Sequence, residues 1–272
     1  MSQQTEKLAV VDPIWMAMRQ EALQETAADP ALAAMLHNTV LMHESLEAAL
    51  SARLADKLSS NDLQAMQLLP LFNEAFAADA EIDACLRADI AAVHDRDPAS
   101  HSLLKPLLFL KGFQALATHR IAHWLWKQGR HTLALHLQSR SSEVFGVDIH
   151  PAARFGRGIF IDHATGVVVG ETAVVGNDVS MLQGVTLGGT GKETGDRHPK
   201  IGQGVLISAG AKVLGNIEIG AYAKIGAGSV VLEAVPAGCT AAGVPAKLVG
   251  KCGCDKPARE MDHSLPAAAS DA

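Results

Sequence analysis

The stretch Ile201-Gly-Gln-Gly-Val205-Leu-Ile207-Ser-Ala-Gly-Ala211-Lys-Val213-Leu-Gly-Asn-Ile217-Glu-Ile219-Gly-Ala-Tyr-Ala223-Lys-Ile225 has a period of six. Steps of six land on Ile201, Ile207, Val213, Ile219, Ile225 and Val231, all β-branched aliphatics. The positions four later are Val205, Ala211, Ile217, Ala223, Ser229 and Val235, small or aliphatic throughout, and Gly202, Gly220 and Gly226 share one phase. A helical period of 3.6 cannot hold such a series on one face, and strand alternation alone would not keep glycine in phase. A short strand followed by a tight corner does both. Three such units close one triangular turn, and stacked turns make a parallel β-helix prism.

Working upstream, the same two series continue as Ile149, Phe155, Ile161, Val167, Ala173, Val179, Val185 and as Val169, Val175, Met181, Leu187. Residues 149–249 therefore predict between five and six turns. The phase breaks once, because the step from Leu187 to Ile201 is more than twice the usual one. The inserted stretch, Gly188 to Lys200, is polar and glycine-rich and is expected to leave the prism as a flexible loop. Insertions of this kind form the binding face of many solenoids.

Before the prism the composition changes. Only Gly112 and Gly129 precede residue 146, and the other 22 of the 24 glycines fall within 146–272. The chain over 1–145 is Leu- and Ala-rich. Asp12-Pro13 and Asp29-Pro30 each offer an N-cap with proline at the first helical position. Leu32, Met35, Leu36, Val40, Leu41, Leu46 and Leu50 recur at helical spacing, and further helices are predicted around 62–77, 80–94, 103–128 and 131–144. The aromatics of His123-Trp124-Leu125-Trp126 are read as core, and the Met16-Met18 and Met35-Met42 pairs as helix packing. Three regions follow: a helical domain over 1–145, a prism over 146–251 and a flexible tail over 252–272.

Across all 272 residues, 23 Lys and Arg against 29 Asp and Glu give a net charge of −6. No basic surplus marks a nucleic-acid binder. No apolar run is long enough to span a membrane, and the N-terminus lacks a signal peptide's apolar core, so a soluble cytoplasmic protein is expected. Cys85, Cys239, Cys252 and Cys254 are too few and too clustered for a disulfide framework.

Charged groups that interrupt a repeat mark where function conflicts with folding rules. Asp148, Asp162, His163, Arg197 and His198 do so here, and His163 stands where the second series calls for an aliphatic. Asp148 and His163 are separated by slightly less than one full turn, so adjacent turns can bring them together. An aspartate on one ring nitrogen would fix the tautomer and raise the imidazole's basicity.

Several strings resemble bacterial serine O-acetyltransferases within the hexapeptide acyltransferases: Val147 to Ala153, Asp162 to Ala173, Leu187 to Lys192, Asp196 to Lys200 and Ala242 to Lys247. The resemblance reaches the helical half through Asp97-Pro98-Ala99, Leu110 to Phe113 and Ile121 to Trp126, covering about residues 12 to 251. It implies a left-handed prism and acetyl transfer from acetyl-CoA directly to the hydroxyl of L-serine, the committed step toward cysteine. It also implies that His163 is the general base, oriented by Asp148. Asp97 and Asp162 would hold the serine ammonium, and Arg197 and His198 its carboxylate, acids for a cation and a guanidinium fork plus imidazole for an anion. The pantetheine arm would pass Gly189, Ala209, Ala227 and Lys247. No permanent cofactor and no metal are implied, and L-cysteine is the expected inhibitor at the serine site. Sites would lie between neighbouring prisms of a trimer, with helical halves joining two trimers into a hexamer.

Three other readings compete. A zinc carbonic anhydrase would use His150, His163 and His198. A related acyltransferase would act on a sugar or another amine, and a third possibility is a non-catalytic prism. Cys252-Gly253-Cys254 is read as exposed tail rather than half a metal site. In many members of the family the tail ends in isoleucine, which docks into O-acetylserine sulfhydrylase. This chain ends in Ala272, which predicts a weak or absent complex.

Overall fold

Asp12 accepts hydrogen bonds from the backbone N–H groups of Ile14 and Trp15, and Pro13 opens helix α1 (Pro13–Ala28). The computed structural model describes residues 12–99, 102–191, 193–253 and 256–265. At the second Asp-Pro pair only a 3-10 turn forms (Pro30–Leu32), followed by α2 (Ala33–Leu36) and a π-helical turn (His37–Leu41). The apolar stripe from Leu32 to Leu50 thus runs through two segments, resuming in α3 (Leu46–Leu58) behind the Ser45 cap. Leu36, Val40, Leu46 and Leu50 are all buried in one core. Helices α4 (Ala65–Ala78) and α5 (Ala80–Arg96) follow.

The single helix expected over 103–128 is two, α6 (Leu104–Leu108) and α7 (Lys111–Lys127), divided at the extended Leu110. Packing accounts for the break. A Cβ on Gly112 would stand 2.0 Å from the carbonyl oxygen of Ile161, so α7 begins hard against the prism. Every residue from Gly112 to Ala122 is buried, which makes α7 the shared core of both halves. Arg120 on α7 donates to buried Asp89 of α5 and to the Gly156 carbonyl, while Asp89 also accepts from Ile159 N. Helix α8 (His131–Phe145) ends at Gly146, whose left-handed φ of 69° turns the chain into the prism.

The prism has three parallel faces. One stacks β1 (Val147–Ile149), β4 (Val167–Val169), β7 (Thr186–Gly188), β10 (Lys212–Leu214) and β13 (Val230–Val231). The second stacks β2 (Arg154–Phe155), β5 (Val174–Val175), β8 (Lys200–Ile201) and β11 (Glu218–Ile219). The third stacks β3 (Phe160–Ile161), β6 (Ser180–Met181), β9 (Leu206–Ile207), β12 (Lys224–Ile225) and β14 (Thr240–Gly243), with β15 (Ala246–Val249) folded back antiparallel on β14. Both six-step series point inward: Val167, Val169, Val213, Ile219 and Ile225 are among the fully or nearly fully buried residues.

Register confirms the insertion and corrects one turn. Lys212 pairs with Val230 one regular turn later, whereas its partner on the other side, Thr186, lies further off in sequence by the length of the inserted loop. The first turn is also longer than the repeat, since Ile149 pairs with Val169 and not with Val167. The excess sits in the corner Asp162–Gly166, where His163 and Ala164 adopt φ of 55° and 64°. Ala164 is buried there, and His163 is lifted outward instead of occupying an inward aliphatic position.

The chain after the prism is seated over its described length. Cys239 and Cys252 form a disulfide, which the cysteine count had not indicated, and Gly253 N donates to the Gly238 carbonyl. Helix α9 (Pro257–Glu260) and residues to Leu265 then cross the third face. Ser180 donates to the Ala258 carbonyl, Ser208 Oγ bonds His263 Nδ1 at 3.0 Å, and Lys224 donates to the Ser264 carbonyl. Residues 256–265 thus lie against the third face. Cys254 and Ala272 lie outside the described residues.

Candidate active site

Corners of the prism, not its faces, carry most of the candidate site residues. The corner between the third and first faces holds Asp162 and His163 in the first turn, then residues 182–185, 208–211 and 226–229 below. Glycines 166, 184, 210 and 228 stack down this edge, each near the next, so Ala209 and Ala227 lie in line beneath Thr165 and Gln183, on the edge that His163 shares. At about 4.8 Å per turn, His163 and Ala227 are separated by roughly 14 Å along the prism. The next edge, between the first and second faces, holds Glu171 and Thr172 and, through the inserted loop, Gly189, Arg197 and His198.

At the first edge a cavity of about 500 Å³ is lined by Asp97, Lys105, Phe109, Gly112, Asp162 and His163, among others. Asp97 caps the end of α5; its Oδ1 accepts from Ala99 N and its Oδ2 lies 3.6 Å from Lys105 Nζ. Asp162 accepts from the His163 backbone N–H, and its other oxygen lies 3.6 Å from His163 Nε2. The His163 side chain is 71% exposed. It makes no ion pair with Asp148, whose carboxylate accepts a 2.6 Å hydrogen bond from Gln138 Nε2 of α8. Asp148 stands in β1 opposite Val168 of β4, the strand that the His163 corner leads into.

At the second edge Arg197 donates to Glu171 at 2.8 Å, and this bond holds the Glu171 carboxyl below its ordinary range. Thr172 Oγ1 accepts from the backbone N–H groups of Arg197 and His198 and lies 2.8 Å from His198 Nδ1. Thr172 N–H also donates to Nδ1, so the ring's proton sits on Nε2. Burial, and then the Arg197 charge, push the His198 pKa down, which keeps the ring neutral. Gly170 makes room for it, since a Cβ there would meet His198 Nε2 at 2.0 Å.

One protomer therefore joins Asp97, Asp162 and His163 at one edge, and Gly189, Arg197 and His198 at another, and does not bring the two sets together. Lys247 is exposed on β15 in the last turn. The three histidines of the zinc reading do not gather either. His150 packs edge-on against Trp126, His198 sits on Thr172, and His163 is on the other edge. Sequence reasoning missed Glu171 and Thr172 as anchors and Gln138 as the partner of Asp148. Glu171 and Thr172 lay within a quoted string, whereas nothing in the spacing of a helix reveals Gln138.

Residues 14–118 match the family model for the N-terminal region of serine acetyltransferase, and residues 198–233 match that for bacterial transferase hexapeptide repeats. The serine acetyltransferase of Escherichia coli strain K12 is 58% identical over 250 residues, 92% of each chain. A solved serine acetyltransferase in complex with cysteine superposes with a TM-score of 0.91 at 54% identity, covering 93% of this chain and 98% of that one. A serine acetyltransferase from Brucella abortus strain S19 in complex with coenzyme A gives 0.87 at 58% identity, covering 90% and 98%.

Proposed function

This chain belongs to the serine acetyltransferase family, and from that premise we infer that His163, with Asp97, Asp162, Arg197 and His198 around it, carries the reaction. The prism is a left-handed parallel β-helix, and the enzyme transfers acetyl from acetyl-CoA to the hydroxyl of L-serine, giving O-acetyl-L-serine and CoA, the committed step of cysteine biosynthesis. The observation that carries the residue assignment is the cavity in which two carboxylates, Asp97 and Asp162, flank one exposed imidazole.

In this reading, Asp97 and Asp162 take the serine ammonium. Engaging Asp162 there frees the His163 ring to turn toward Asp148, which orients it as base. The serine oxygen attacks the thioester carbonyl as its proton passes to His163, and the imidazolium then protonates the departing CoA sulfur. Arg197 and the Nε2–H of His198 hold the serine carboxylate, and Gly189, Ala209, Ala227 and Lys247 border the pantetheine arm. Because the two sets of residues sit on different edges, the site is completed by a neighbouring prism of a trimer, and two trimers pair through their helical halves. L-Cysteine, with sulfur in place of the hydroxyl, occupies the same groups and inhibits. The place of work in this reading is the cytoplasm. No helix among the described residues is long and apolar enough to cross a membrane.

Following thioester loss with acetyl-CoA and L-serine tests the base. His163→Ala should lower turnover by about 10²-fold or more while acetyl-CoA still binds. Near-normal turnover would remove His163 from the role.

A further inference from the structure

Three buried polar side chains, Ser180 and Lys224 on the third face and Ser208 at its edge, have the chain after the prism as a partner. Ser180, Ser208 and Lys224 are at most 6% exposed, and they bond Ala258, His263 and Ser264 respectively. Residues 256–265 thus form a strap. Its far end contacts the edge described above: His263 bonds Ser208, next to Ala209, and a Cβ on Gly226, next to Ala227, would meet Leu265. Its near end is held at two adjacent points, the Gly253 N–H to Gly238 carbonyl bond and the Cys239–Cys252 disulfide. Cys239 is 3% exposed in the last turn of the prism, whereas Cys252 is on the surface.

We propose that Cys239 and Cys252 are a reversible thiol–disulfide modification site that fixes the root of this strap, with a low-molecular-weight disulfide as oxidant. The geometry sets the order of events. A disulfide RSSR reaches only the exposed Cys252, whose thiolate attacks one sulfur to give Cys252–S–S–R and release RS⁻. The buried Cys239, as thiolate, then attacks Cys252 Sγ, closes the internal bond and expels the second RS⁻. Two protein thiols become one disulfide, RSSR becomes two RSH, and the two thiol protons end on the released thiolates. Excess thiol runs the same steps backwards. In the open form the strap keeps only its backbone bond and side-chain contacts, and its root opens locally more often. In the closed form the tether holds the root at high effective concentration beside its seat.

The Arg259–Glu260 bond lies in the middle of the strap and reports its seating by tryptic cleavage, while the Lys256–Pro257 bond is protected by its proline. The intact enzyme is equilibrated in oxidised or reduced glutathione, alkylated, mapped by mass spectrometry and digested briefly with trypsin. The expected result is a Cys239–Cys252 linkage in the oxidised sample and cleavage after Arg259 about tenfold slower than in the reduced one. Cys252→Ser should cleave at the reduced rate in both buffers. Equal cleavage rates in the two buffers for the unaltered enzyme, or a linkage of Cys252 to Cys254 instead, would overturn the proposal. Because the readout is chain seating and not acetyl transfer, it stands or falls apart from the assignment of the CoA groove.

Discussion

Thr172 shows how one hydroxyl can organise the two side chains proposed to hold the serine carboxylate. It accepts two backbone N–H bonds, from Arg197 and His198, and meets the His198 ring. Thr172→Val keeps the shape and removes these bonds, leaving Arg197 and His198 without their anchor. At a net value of about 1.5 kcal/mol the KM for serine should rise about tenfold with kcat less affected. Steady-state kinetics against serine at saturating acetyl-CoA would show it, and an unchanged KM would disconnect the second edge from serine. His163 teaches the opposite lesson about legibility. The break in the repeat marks His163 in the sequence, but the lengthened corner that turns it outward does not show. Left-handed backbone at His163 and Ala164 has no glycine to announce it.

Helix α7 couples the two halves through buried groups, His119 among them, with His123 half-buried one turn on. Burial first, then the nearby His123 and Arg120, hold the His119 pKa well below 6.5, and burial also lowers that of His123. The folded state therefore binds fewer protons than the unfolded chain once the pH drops under 6.5. Stability present in full above that value is lost as the pH falls toward the folded pKa, at about 1.4 kcal/mol per unit for one such group. Melting temperatures should decline as the pH is lowered from neutral into the mildly acidic range. His119→Gln, which keeps a donor for the Ala153 carbonyl, should flatten that decline. An equal slope in the variant would place the acid sensitivity elsewhere. The split of α6 from α7 was invisible in the sequence, because apolar periodicity runs through Phe109 and Leu110 while Ile161, far along the chain, sets the start of α7.

At the scale of the whole molecule, the proposed division of the site between two edges makes a quantitative demand. If His163 of one protomer faces Arg197 of its neighbour, two inactive variants should complement each other. Refolding His163→Ala with Arg197→Ala in equal amounts leaves each site a one-half chance of an intact member at each edge, so about one quarter of full activity should return. No recovery in verified mixed assemblies would confine the site to one chain. The prism itself was legible, since Ile201 to Val231 keep phase without interruption. The strap was not, because residues 256–265 have no period and their partners Ser180, Ser208 and Lys224 come from three successive turns.

One feature of the last turn governs how such a molecule can change length. β15 reverses direction on β14, so the third face ends in antiparallel spacing that a following parallel turn cannot continue, and α8 packs on β1 at the opposite end of the first face. A stack of identical rungs is otherwise an invitation to end-to-end growth between copies. With the third face ended in this way, the prism lengthens most simply by whole turns spliced into its middle. Each splice would carry everything below it about 4.8 Å further from His163. The reach of the acyl donor's arm thereby becomes a ruler against which the number of turns is counted.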